Sequence, residues 1–127
     1  MQPCPFCIID EKRIIQQNNH AVVIRDGFPI SEGHTLVIPK RHMSSFFELT
    51  YDERDDLFYL LDKAKKDLDK SHHPDGYNIG INDGSVAGQT VPHLHLHLIP
   101  RYKGDQLDPR GGVRWVIPEK ADYWSER

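Results

Sequence analysis

The chain has 127 residues, 28% of them charged, with a formal net charge of -3 and an isoelectric point near 6.2. That length suits one domain with a core of its own, and the slightly acidic balance argues against a general grip on nucleic acid through a basic surface. No stretch approaches the roughly 20 consecutive apolar residues a membrane span requires.

The N-terminus, MQPCPFCIIDEKR, has neither the basic start nor the long apolar run of a signal peptide. A soluble cytoplasmic protein without membrane partners is expected. Cys4 and Cys7 are the two cysteines, too few for the disulfide framework of a small secreted domain. A redox CxxC pair belongs at a strand-to-helix junction, whereas this one lies at the start of the chain between Pro3 and Pro5. Half of a zinc site within residues 1–10 is therefore expected, with two free thiols as the alternative.

Lys12 to Gln17 and Ala21 to Arg25, joined by Asn18, Asn19 and His20, predict a β-hairpin rich in branched residues. Asp26 to Pro29 break it, and His34 to Ile38 predict a third strand introduced by Gly33 and ended by Pro39. Thr50 with Glu53 three residues later forms the capping-box signature of a helix running to about Ser71. Leu57, Leu60, Leu61, Ala64 and Leu68 make its apolar stripe. Its charges follow the helix dipole and are read as a solvated face, and His72 and His73 as a fraying end.

Gly76 to Asn82 and His93 to Arg101 predict two more strands around the loop DGSVAGQTV. Beyond them the tail, residues 104–127, holds a possible strand at VRWVI. Its Trp115, Tyr123 and Trp124 are expected to pack on the domain or on a dimer partner. The sum is an α+β domain: an antiparallel sheet of about five strands with one long helix packed on it.

The stretch PHLHLHLIP at 92–100 carries His93, His95 and His97 on one face of an extended chain and Leu94, Leu96 and Leu98 on the other. At strand spacing the outer two histidines stand about 13 Å apart, too far to share one ion. Three readings of the face are open: a polar strand surface, a catalytic zinc site with His-x-His ligands, or one neutral imidazole acting as nucleophile while its neighbours hold a phosphate. The upstream loop, with Gly84, Gly88, Gln89 and Thr90, favours the third, because glycines and short polar side chains let donors approach anionic oxygens.

PHLHLHLI resembles the His-φ-His-φ-His-φ-φ signature of the histidine triad (HIT) family of nucleotide hydrolases and transferases, φ being apolar. GHTLVIPKRH and NDGSVAGQTVPHLHLHLIPR are similar to further family blocks, so the likeness covers about residues 4 to 103. The resemblance implies a HIT-like fold and a hydrolase acting on dinucleoside polyphosphates or related nucleoside phosphate derivatives. It implies His95 as the nucleophile of a covalent nucleotidyl-histidine intermediate, His97 bonding the transferring phosphoryl group or its bridging oxygen, and His34 orienting the cluster. Asn82 and Thr90 match phosphate-binding positions, with Gly88 and Gln89 on the same loop. Asp26 matches a position that binds the ribose hydroxyls, with Phe28 near the base. Some family members pair a CxxC with the histidine of a PKxH segment and the first triad histidine, which implies structural zinc on Cys4, Cys7, His42 and His93 and no metal at the nucleophile. A homodimer joined side by side is also implied. The alternatives are a phosphoramidase, a transferase or phosphorylase with an acceptor other than water, and a zinc-stabilised nucleotide-binding module without turnover.

Overall fold

Where the hairpin was expected, Asn18 makes it: its Oδ1 accepts from the backbone N–H of His20 at 3.1 Å and of Ala21 at 2.9 Å, a side-chain mimic of a backbone turn. The structure, a computed structural model, describes residues 3–125. Met1, Gln2, Glu126 and Arg127, the outermost residues of the N-terminal segment and the tail, lie outside the described residues. Strand β1 is Gln16–Gln17 and β2 is Ala21–Arg25. The first strand is shorter than expected. The carboxylate of Asp10 accepts the Lys12 N–H at 3.0 Å, and Glu11–Arg13 turn as a 3-10 helix instead of extending.

Strand β3 (Thr35–Pro39) pairs antiparallel with β2, and β4 (Gly76–Gly80) pairs with β5 (Leu96–Arg101). With β3 bonded to β5, one antiparallel sheet results in the order β1-β2-β3-β5-β4. The long helix α1 (Tyr51–Ser71) has the expected capping box at Thr50 and Glu53, and ends with the His72 N–H donating to the Leu68 carbonyl. Fold class, strand number and the helix all agree with expectation.

The sheet is covered on both faces. On one, Leu57, Leu60, Ala64 and Leu68 of α1 pack with Val23, Val37, Leu96 and Leu98. Across the sheet Val22, Ile24, Leu36 and Ile38 are sheltered by Phe6, Ile9 and Ile14 of the N-terminal segment. This double cover explains why Ala21 to Ile24 are all buried and do not alternate. Gly33 permits the close approach at the end of the helix. A Cβ there would lie 2.8 Å from the Leu68 side chain, and its φ of +88° is one that L side chains rarely adopt.

β4 ends at Gly80 and not at Asn82, and two further extended segments differ from expectation. β5 begins at Leu96 and not at His93, because Pro39 has no N–H to continue the ladder, its carbonyl accepts from the His93 ring, and the Leu94 N–H donates to the Met43 carbonyl. In the tail, Gly112–Val116 form a 3-10 turn followed by the short helix α2 (Pro118–Ala121) where a strand was expected. Gly111 and Gly112 at positive φ start that turn, and Arg114 holds it by donating to the carbonyls of Ala121 and Lys120.

Candidate active site and metal site

β5 projects His97 from the sheet face opposite α1, beside Leu36 of β3 and Gly80 of β4. His95 stands just before the strand on the same side, its ring centroid 5.1 Å from that of His97. His34, at the start of β3, brings its Nε2 to 2.9 Å from His97 Nδ1. Asp26, at the end of β2, places Oδ2 3.3 Å from His34 Nε2 and 3.9 Å from His97 Nδ1. Three strands thus deliver four polar side chains to one point on the sheet.

The hydrogen bonds determine where each proton sits. The Ile30 N–H donates to His34 Nδ1 at 3.2 Å, so the single proton of the neutral ring is on Nε2 and points to His97 Nδ1. His97 accepts there, and its own proton therefore lies on Nε2. His95 donates from Nδ1 to the His93 carbonyl at 2.9 Å, which leaves Nε2 with a free lone pair. Burial pushes the pKa of His34 down, against the pull of Asp26. For His97, burial and then the neighbouring His95 and His34 lower it to about 4. Both rings are neutral near neutral pH.

The same protons argue against a catalytic metal among Asp26, His34 and His97, although their ligand atoms lie within 4.8 Å of one another. A metal needs a lone pair at His34 Nε2, and that nitrogen carries hydrogen.

A cleft of about 1380 Å³ opens over these groups, lined by His34, His95 and His97 and by Asp26 and Phe28 on one flank. Asn82, Gly88 and Thr90 line it on another. Asp26 Oδ1 accepts the Phe28 N–H at 2.8 Å, which shapes the turn that carries the exposed Phe28 ring. Gln89 is placed differently from the others. Its Oε1 accepts the Gly84 N–H at 2.8 Å and its Nε2 donates to the Ser44 carbonyl at 2.9 Å, so its amide braces the loop. The N–H groups of Ala87, Gly88 and Gln89 also bond within the loop, to Gly84 and Ser85 carbonyls.

His93 parts company with the other two histidines. Its ring is fully buried, donating from Nε2 to the Pro39 carbonyl at 2.8 Å, which turns the Nδ1 lone pair toward Cys4, Cys7 and His42. Cys4 Sγ is 3.3 Å and Cys7 Sγ 3.5 Å from His93 Nδ1; His42 Nδ1 is 3.2 Å from both Cys7 Sγ and His93 Nδ1. A zinc tetrahedron with bonds of about 2.0–2.3 Å has edges of about 3.3–3.8 Å. The four donors, two sulfurs and two imidazole nitrogens, fit such an ion.

Two features of the site were not foreseen. Phe6, between the two cysteines, sets its ring edgewise against His95 with centroids 5.0 Å apart; its only sequence signal was an aromatic inside the CxxC. Arg41, next to His42, grips Glu53 of α1 with two hydrogen bonds of 2.9 and 2.8 Å and holds that carboxyl down to about 2.

The model of the HIT domain family matches residues 9–104. An uncharacterised HIT-like protein of Methanocaldococcus jannaschii is 42% identical over 106 residues, covering 80% of this chain and 81% of that protein. The asymmetrical bis(5'-nucleosyl)-tetraphosphatase of Schizosaccharomyces pombe is 48% identical over 77 residues, 61% of this chain and 42% of that one. Among solved structures, a zinc-bound histidine triad family protein from Mycobacterium smegmatis superposes with a TM-score of 0.68 at 36% identity, over 75% of this chain and 69% of that chain.

Proposed function

The chain belongs to the HIT family, and on that premise we propose that it is a nucleotidyl hydrolase cleaving dinucleoside polyphosphates or related nucleoside phosphate derivatives to a nucleoside monophosphate. The observation that carries this reading is the His95 ring at the cleft with its Nδ1–H tied to the His93 carbonyl, which in the neutral ring leaves the Nε2 lone pair free. The Nε2 lone pair attacks the α-phosphorus. The bond from phosphorus to the bridging oxygen breaks, and the departing nucleotide takes the electron pair as an anion that needs no proton. The His97 Nε2–H bonds the transferring group, with Asn82 and Thr90 as further donors to its equatorial oxygens. Water then attacks the phosphorus, its spare proton passes to solvent, and the P–N bond returns its pair to His95.

The carboxylate of Asp26 would take the ribose hydroxyls, with Phe28 beside the base. Cys4, Cys7, His42 and His93 would hold a structural zinc ion, which when bound supplies a closed four-ligand brace and no chemistry. Thiolate ligands of this kind suit a reducing cytoplasm. No helix among the described residues is long and apolar enough to cross a membrane.

The test is turnover of a panel of dinucleoside polyphosphates and nucleoside phosphoramidates by the parent and by His95→Ala, with alkaline quenching to trap a nucleotidyl-protein bond. The variant should lose about 1,000-fold or more in rate, the order expected when a nucleophile is removed. Parental turnover in His95→Ala would overturn the reading.

A further inference from the structure

The family match ends at residue 104, yet the cleft does not. Its wall continues onto Pro109, Gly112, Val113 and Trp115 of the tail, facing Asn78 of β4 and Ile99 of β5. Gly112, at φ +47°, presses so close to β4 that a Cβ on it would stand 3.3 Å from the Asn78 amide. Trp115 is pinned by its edge, the indole N–H donating to the Arg110 carbonyl at 2.8 Å, and is 48% exposed.

The strand order gives this wall a direction. Asp26 leaves β2, the histidines stand on β3 and β5, and the tail covers β4. A substrate whose ribose lies at Asp26 and whose α-phosphorus lies at His95 therefore sends its departing half toward the tail. The cleft, at about 1380 Å³, also exceeds the roughly 300–1,000 Å³ of a pocket for one small ligand.

The lining says what kind of group belongs there. The cations beside this wall are already engaged: Arg101 by Asp105 through two hydrogen bonds of 2.8 Å, Arg110 by Asp108 at 2.9 Å, and Arg114 by the carbonyls of Ala121 and Lys120. Beside these pairs Pro109, Val113 and Trp115 present an apolar and aromatic surface, which suits a flat ring better than a phosphate. We propose that Pro109, Val113 and Trp115 form a subsite for the leaving nucleoside of a dinucleoside polyphosphate, its base lying on the indole. This rests on the function proposed above.

Equilibrium binding to the full chain tests it, with two probes: adenosine 5'-monophosphate and a methylene-bridged, non-hydrolysable diadenosine tetraphosphate. Stacking of one base predicts that the dinucleotide binds the parent about tenfold tighter than the monophosphate. Trp115→Ala should erase most of that advantage while monophosphate affinity stays within about twofold, and Trp115→Phe should retain most of it. Equal affinities for the two probes in the parent, or a parallel loss of both in Trp115→Ala with no rescue by Trp115→Phe, would overturn the subsite. Failure of the parent to cleave the hydrolysable dinucleotide that it binds with this preference would instead overturn the proposed function.

Discussion

Each of His34, His97 and His95 is oriented by a single hydrogen bond. Ile30 orients His34, His34 orients His97, and the His93 carbonyl orients His95. Because the folded pKa of His97 is about 4 and its unfolded value about 6.5, the unfolded chain binds the extra proton between those limits. The contribution of this residue to stability is thus complete above about pH 6.5 and lost as pH falls toward about 4, up to about 3 kcal/mol. In His97→Gln, urea unfolding measured across that window should show a shallower fall than the parent; identical slopes would contradict the neutral ring. Phe6 adds a steric constraint on His95. Phe6→Ala should lower kcat by about tenfold through a looser nucleophile, with the metal content measured alongside and unchanged.

The elements meet at the junction of β3 and α1. Glu53 closes the capping box of α1, accepting the Thr50 N–H, and at the same time takes both hydrogen bonds from Arg41. The residue after Arg41 is His42, so the start of the helix steadies one donor of the cysteine-histidine cluster. Glu53 is buried and Arg41 half exposed, so solvent screens part of the pairing. Glu53→Gln should cost about 2 kcal/mol in chemical denaturation. With a folded pKa of about 2, the carboxylate's contribution is present above about pH 4.5 and lost as pH falls toward about 2, and the variant should lack that acid transition. The cluster makes its own prediction at this scale. Cys4→Ser should lower zinc from about one ion per chain toward none and reduce the melting temperature by several degrees. A metal-free parent of equal stability would remove the zinc assignment.

At the scale of the whole molecule, β4 is an edge strand of the sheet. Ile79 on it is 51% exposed, with Phe58 and Tyr59 of α1 also exposed beside it. An edge of this kind invites pairing with a second strand. We propose that two copies of the chain join there. Light scattering should give twice the chain mass, and Ile79→Lys should shift the protein toward the monomer; a monomeric parent would reject the seam.

What neighbours along the chain can settle was legible in the sequence by itself. The helix from Thr50, the hairpin around Asn18 and the burial of Leu94, Leu96 and Leu98 follow from capping, turn chemistry and side-chain periodicity, all of which act over a few residues. The family motifs marked the cluster residues, yet not how their rings would be held. The late start of β5 and the pairing of His34 with His97 across 63 positions required the sheet to be assembled first. The tail shows the same limit. Val113, Val116 and Ile117 look like a strand in isolation, and only packing against β4 and the capture of the Ala121 carbonyl by Arg114 make them a turn over the cleft. Local propensity is a property of adjacent residues, whereas the carbonyl that meets a given imidazole or guanidinium is chosen by segments that become neighbours only on folding.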